Sequence, residues 1–169
     1  MKIGWVVFPF LSLFWLVGLW LLGHGLWAAR RSTQAAAWPT APATLTRAEL
    51  VEEVDEGSTN YKVEVRYTYA VGGVEYEGTR VAFGYDKISG GGRAARDEIV
   101  RKLRAAKSVA ARYDPENPAV SCLSFGVNKS IRLALAFAAA WLSFMAWFTI
   151  LIWLSSGRDT VLLDNLSVE

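Results

Sequence analysis

Two long stretches without a charged side chain constrain this chain more than anything else in it. Ile3 to Ala29 is the first and Leu133 to Leu154 is the second. As helices they would span about 40 Å and about 33 Å, against a hydrocarbon layer of about 30 Å. Lipid offers the backbone no water, so each stretch must close its own hydrogen bonds as a helix. A core helix of a water-soluble protein would carry a polar face, and the second stretch does not. All of the eight Trp except Trp38 fall inside these two stretches. A cleaved signal would have a shorter apolar region of roughly 7–15 residues and a small-residue cleavage site. Gly25-Leu26-Trp27-Ala28-Ala29 is a poor site of that kind, so the first stretch is expected to be retained.

Two spans place both termini on one side of the membrane. Arg30, Arg31, Arg47, Arg112, Lys129 and Arg132 lie toward the middle region, while Lys2 and Arg158 lie on the terminal side. This imbalance favours a cytoplasmic middle domain, while the Met-Lys start before a long apolar run suits the alternative, an N-in anchor with the domain outside. His24 is the titratable group of the first stretch and sits between Gly23 and Gly25 near its end. It reads as an interfacial polar residue, the functional alternative being a proton or lipid contact. A proton path would need acidic partners, and the second stretch has none. Ala134/Ala138, Ala136/Ala140 and Gly18 are small residues that permit close helix packing.

Between the spans the periodicity changes. Residues 30–42 read as a connector, because Pro39 and Pro42 cannot continue a helix. Trp38 there suits the membrane interface. From Ala43 apolar residues alternate. Thr44 to Val54 is a plausible strand, and Asp55-Glu56-Gly57-Ser58 a turn. The clearest strand follows, with Tyr61, Val63, Val65, Tyr67, Tyr69 and Val71 on one face. Gly72-Gly73 supplies a two-residue hairpin loop. That loop length sets Val71 against Val74, Tyr69 against Tyr76 and Tyr67 against Gly78, in a strand expected to run from Val74 to Phe83. Gly90-Gly91-Gly92 matches no phosphate-binding fingerprint and reads as a joint. Arg93 to Ala106 is expected to be an amphipathic helix, with Ala95, Ile99, Leu103 and Ala106 inward. Arg93, Arg96, Arg101, Lys102 and Arg104 then form a solvated basic face, or a contact for anionic lipid or an acidic partner. Lys107 to Tyr113 and Ala119 to Leu123 read as the last strands, joined by the turn Asp114-Pro115-Glu116-Asn117-Pro118.

The chemistry-bearing residues do not assemble into a catalytic or metal site. Asp114 and Glu116 sit in a proline turn, where Asp is ordinary turn chemistry. Cys122, the one cysteine, excludes an internal disulfide and has no nearby His to activate it. A formal charge of +2 is too small to suggest nucleic acid. No cofactor is implied.

The series Val63-x-Val65-x-Tyr67-x-Tyr69-x-Val71-x-Gly73-x-x-Tyr76-x-Gly78, followed by Tyr113-Asp114-Pro115-Glu116-Asn117-Pro118 and Ser121-x-Leu123, resembles a bacterial membrane family. That family is catalogued as domain of unknown function 3592. The resemblance covers about residues 38–125, and the flanking spans agree in placement. It implies a β-rich domain beside apolar spans and no known activity. The family has a Gly shortly before its Tyr-Asp-Pro strand, whereas this chain has Arg104-Ala105-Ala106-Lys107-Ser108.

The expected architecture is an α+β membrane protein in which two transmembrane helices flank a small, mainly antiparallel β domain with one amphipathic helix. Its parts are helix 1–29, connector 30–42, domain 43–125, helix 130–154 and polar tail 155–169. The expected role is a non-enzymatic, membrane-anchored binding or scaffold module, with the bilayer and a membrane or cytoplasmic protein as partners. The alternative is an accessory subunit of a transport or envelope assembly, acting through helix packing. The face assignment is testable by thermal unfolding of the purified chain. Tyr67→Lys buries an unpaired charge and should destabilise severely, while Lys62→Glu should cost little. Equal damage from both would contradict the assignment.

Overall fold

The computed structural model describes residues 4–55, 58–85, 93–106 and 108–156. Glu56 and Gly57 of the expected Asp55–Ser58 turn, the expected joint Gly90–Gly92 and residues 157–169 of the tail lie outside these. An apolar helix α1 (Gly4–Gln34) leads through a 3-10 turn (Ala35–Ala37) into β1 (Thr40–Asp55). Then come β2 (Ser58–Val71), β3 (Val74–Gly78), α2 (Arg93–Ala105), β4 (Val109–Tyr113), β5 (Ser121–Cys122) and a second apolar helix α3 (Lys129–Ser156). The fold is α+β: two long apolar helices flank a five-stranded antiparallel sheet and one short helix.

Helix α1 continues past Ala29 through Arg30 to Gln34, so much of the expected connector is helix. Nothing in Arg30-Arg31-Ser32-Thr33-Gln34 stops an established helix. The stop comes from the residues before Pro39, where Trp38 N–H closes the last turn on Ala35 O at 3.3 Å. Pro42 belongs to β1 rather than to a connector. The ladder to β2 begins one residue later, at Ala43, and so asks no donor of the proline.

The two long helices pack along a seven-residue repeat. Leu11, Gly18, Gly25 and Ser32 are buried on α1, and Ile131, Ala138 and Met145 on α3. A 3.5-residue seam keeps two helices in contact by left-handed supercoiling. Gly18 receives Leu142 and Trp141, and Gly25 receives Leu135. Indole donors at the seam find acceptors: Trp15 Nε1 on Thr149 Oγ1 at 3.3 Å, and Trp141 Nε1 on Phe14 O at 3.1 Å. Of the small pairs on α3, Ala138 faces α1, whereas Ala136 and Ala140 face outward. The outward faces stay apolar, with Trp20 65% and Trp153 72% exposed. Helices of this length with apolar outer faces suggest a membrane protein.

The sheet order is β3-β2-β1-β4-β5. Val71 pairs with Val74, Tyr69 with Tyr76 and Tyr67 with Gly78, as the two-residue loop requires. Gly72 and Gly73 hold φ of 60° and 84°, the left-handed values that such a loop needs. Tyr67 is fully buried over Gly78, where an added methyl would strike its ring. The Tyr69 ring stacks on Tyr76 at 5.9 Å and on Tyr113 at 6.4 Å. It reaches the second of these over the small Ala43 and Ala41 of the intervening strand. A bulge between Leu45 and Arg47 shifts the phase of β1. Ala41 and Ala43 are inward before it and Ala48 after it, so both halves of the strand face one core.

Three elements depart from the periodicity. Strand β3 ends at Gly78; Val81 still packs in the sheet core, and Phe83 packs against Trp27 and Trp38 at the base of the long helices. The inward residues of α2 are Arg96, Ile99, Val100 and Leu103, while Ala95 and Ala106 are exposed. Long side chains reach the sheet where alanine cannot, and an arginine stem can bury with them. The last strand is only Ser121–Cys122. Beyond it Leu123 and Ser124 N–H turn to Val81 O at 3.1 and 2.7 Å.

Burial gives the core a pH signature. The Tyr67 hydroxyl is pushed up to about 12 and the Cys122 thiol up to about 11, each chiefly by desolvation. Both are neutral in the fold, so their stability contribution is complete below the unfolded values, near 9 for the thiol and 10 for the phenol. It is lost as pH rises through the folded values, because the unfolded chain releases these protons first. The melting temperature of the purified chain should therefore fall above about pH 9, and more steeply above about pH 10. Tyr67→Phe should flatten the steeper leg. An unchanged slope in that variant would contradict the burial.

Candidate functional site

The polar groups of the molecule converge where the sheet meets the helix bases. Asp114 follows β4 in the Tyr-Asp-Pro turn and is buried. Its Oδ2 accepts Arg31 Nη1 at 2.7 Å, and its Oδ1 accepts the Glu116 N–H at 3.1 Å. The turn is closed by Asp114 N–H to Val120 O at 2.9 Å and by Tyr69 Oη to Pro118 O at 2.5 Å. Asp114 thus has both oxygens engaged, while Glu116 is exposed. One carboxylate is a strut and the other is solvated, which is not the arrangement of an acid–base pair.

Beside this strut, Ser32 and Gly126 bond reciprocally. Ser32 Oγ donates to Gly126 O at 2.7 Å, and Gly126 N–H donates to Ser32 O at 3.0 Å. Asn128 caps α3, its Oδ1 accepting Ile131 N–H at 3.0 Å. Its Nδ2 donates to Phe83 O at 2.9 Å, so one residue starts α3 and holds the 81–84 segment. Arg112 donates to Ala36 O and Trp38 O, both at 3.0 Å, and lies over the Phe125 ring at 4.4 Å. Trp38, expected at the interface, is instead buried edge-on against Phe83 at 5.7 Å. These contacts satisfy carbonyls that a helix end leaves open.

A cleft of about 320 Å³ opens beside this junction, between the two helices and the 80–84 segment. Trp27, Phe83 and Ile131 form its apolar walls, and His24, Arg80 and Ser130 bring polar groups to it. The His24 ring is stacked between Trp20 at 5.6 Å and Trp27 at 6.1 Å. Gly84, at φ 68°, packs where a side chain would meet Ile131 and Ala28. Cys122 is fully buried nearby, and burial outweighs the opposing pull of Arg80 and Arg112 on its thiol. Among the described residues no three His, Cys, Asp or Glu side chains group as metal ligands would.

The basic residues of α2 lie elsewhere. Arg93 pairs with Glu52 at 3.1 Å and covers Tyr61, and Lys102 pairs with Glu98 at 2.9 Å. Arg104 Nε donates to Ala48 O at 2.7 Å, a β1 carbonyl beyond the reach of β4, whose pairing stops at Ala43. Arg96 is buried, and Arg101 faces solvent. Arg93 and Arg104 thus fasten α2 to β1, while Lys102 pairs within the helix.

A family model described as "Domain of unknown function (DUF3592)" matches residues 41–128. The match runs from the start of the sheet to the Asn128 cap. It includes Asp114 and Gly126 but not their α1 partners Arg31 and Ser32. No curated protein and no solved structure matches the chain.

Removing either partner of the strut should destabilise the purified chain. Asp114 is buried but the Arg31 side chain is 37% exposed, so the cost should be about 1–3 kcal/mol, below that of a fully buried pair. Arg31→Gln and Asp114→Asn should be sub-additive when combined. Glu77→Gln, which breaks an exposed pair with Arg66, should cost less than about 0.5 kcal/mol. Thermal unfolding of the four variants measures this, and strict additivity at Arg31 and Asp114 would contradict a direct bond.

Proposed function

The chain belongs to the family of the domain of unknown function DUF3592, and from that premise we propose that it is a non-enzymatic, membrane-anchored binding or scaffold module. Its two apolar helices cross the bilayer and present the β domain at the surface in a fixed pose. The observation that carries this reading is the junction. Arg31–Asp114, Ser32–Gly126 and Asn128–Phe83 tie α1, the sheet and α3 together by side-chain and backbone bonds. A domain tethered only by flexible linkers would need none of them.

The surface so presented is polar. Lys62, Arg66 and Thr79 surround a shallow depression on the outer sheet face. Among the described residues strand β3 leaves one edge unpaired, flanked by Glu75 and Glu77. Main-chain groups of such an edge can take an extended segment of a partner. This face and edge are better placed for a partner than α2, whose cations are largely engaged within the domain. Exposed Arg30, Lys129 and Arg132 gather at the helix ends facing the domain, and this favours a cytoplasmic domain at a bacterial inner membrane. The second reading, an accessory subunit acting within the bilayer, is favoured by Ala136 and Ala140 facing away from α1, where another helix can approach closely.

Photo-crosslinking residues placed at Thr68 and Glu75, or at Ala136 and Ala140, discriminate the two in intact cells. The module reading expects a discrete protein adduct from the sheet positions. Adducts from the helix positions alone would favour the subunit, and adducts from neither would overturn both. In the same cells Thr79→Cys should react with an impermeant maleimide only after permeabilisation, while buried Cys122 stays silent until denaturation. Labelling of Thr79→Cys in intact cells would reverse the orientation.

A further inference from the structure

We propose that the cleft between the helix bases and the 80–84 segment binds the phosphate group of an anionic phospholipid. Arg80 and Ser130 hold the phosphate, and Trp27, Phe83 and Ile131 hold the apolar part of the lipid. This goes beyond the module reading and rests only on its claim that the helices cross a bilayer.

Among the described residues, the Arg80 guanidinium has no ion-pair partner and the Ser130 hydroxyl no hydrogen-bond partner, and both border the cleft. The Arg80 guanidinium stacks on the Phe83 ring at 4.6 Å. Among the described residues no carboxylate pairs with it, and no Asp or Glu lines the cleft. Ser130 is only 5% exposed. Its hydroxyl has no hydrogen-bond partner among the described residues, yet it is not sealed off, because it borders the cleft. A hydroxyl in that position gains a bond when an acceptor enters. Ser130 also stands in the first turn of α3, where the Asn128 side chain serves the N–H of Ile131. The N–H groups of Lys129 and Ser130 lie ahead of that capped donor, at the positive end of a long helix. An arginine, a free hydroxyl and a helix N-terminus around one space fit a phosphate oxygen set. His24, fixed between two indoles, adds a further polar group.

The walls decide for lipid over free phosphate. Apolar surface predominates in the cleft, and an inorganic ion would have no use for Trp27, Phe83 and Ile131. The volume is at the low end of small-molecule sites, about 300 Å³, enough for a headgroup and the start of a chain. The cleft also lies at the depth where α1 and α3 pass from apolar sequence to Arg30, Lys129 and Arg132, the depth of lipid headgroups.

The test uses the full chain in non-ionic detergent micelles and reads the melting temperature. The probes are dihexanoyl-phosphatidylglycerol, dihexanoyl-phosphatidylcholine and inorganic phosphate. Phosphatidylglycerol should raise the melting temperature saturably by several degrees, and the other two should not. Arg80→Gln and Ser130→Ala should each weaken the response about tenfold, one charge-assisted contact's worth. Arg80→Lys should retain part of it, and Arg101→Gln on α2 all of it. An equal response to inorganic phosphate overturns the lipid assignment. An equal response to phosphatidylcholine, or an undiminished one in both Arg80→Gln and Ser130→Ala, overturns the site. Alkaline carbonate extraction of the source membranes separates the premises. Release of the chain refutes the anchor itself, whereas a retained chain without a phosphatidylglycerol response refutes the cleft alone.

Discussion

A long apolar helix leaves backbone groups open at each end, and this chain must satisfy two such ends within a short distance. At the end of α1 the open carbonyls of Ser32, Ala36 and Trp38 are taken by Gly126 N–H and the Arg112 guanidinium. At the start of α3 the Asn128 side chain serves both an open N–H and the carbonyl of Phe83. The donors and acceptors come from the β domain and its exit segment. The termini of the helices and the base of the sheet are therefore completed by one another, and neither is fully bonded alone.

The same economy shapes the sheet. Its inner face is built from tyrosines placed over very small neighbours. Tyr67 lies over Gly78, and Tyr69 reaches Tyr113 across Ala43 and Ala41. Their hydroxyls bond outward to Ser121, Arg80 O and Pro118 O. Each phenol thus joins the core to the segment that leads to the junction. Asp114 closes the chain of contacts by joining that turn to Arg31. The Tyr-Asp-Pro sequence is a mechanical coupling in which the tyrosine packs, the aspartate bridges and the proline turns.

What the sequence discloses depends on how local the determining physics is. The strands β2 and β3 and their register are legible because Gly72-Gly73 and a strict alternation from Tyr61 to Val71 determine them within a short span. The bulge in β1 is also written there. Ala41 and Ala43 are odd-numbered while Ala48 is even-numbered, and only an extra residue reconciles them on one face. The seam of α1 is a seven-residue spacing of Leu11, Gly18, Gly25 and Ser32, which a search for small residues four apart passes over. Asn128 before Ser130-Ile131 is an ordinary helix-start signal. By contrast, Arg31 and Asp114 are far apart in sequence, and no pattern in either neighbourhood announces their bond. Val81-Ala82-Phe83 looks like strand because burial is its only local signature, yet Val81 packs in the sheet core without pairing and Phe83 packs on Trp38 and Trp27. The α2 face misleads because alanine counts as apolar but reaches little, whereas arginine counts as polar and buries its stem.

The central claim is that the sheet and the helix pair form one rigid body. It is tested most directly by the width of a distance distribution between spin labels. With Cys122 replaced by Ala, one label pair would join Glu75 on the sheet to Ser155 at the far end of α3, in lipid nanodiscs. A reference pair, Lys62 and Glu75, would lie within the sheet. Pulsed electron–electron resonance should give the cross-body pair a single distribution about as narrow as the reference. A broad or multiple distribution for that pair, beside a narrow reference, would contradict rigid coupling and reduce the β domain to a tethered passenger.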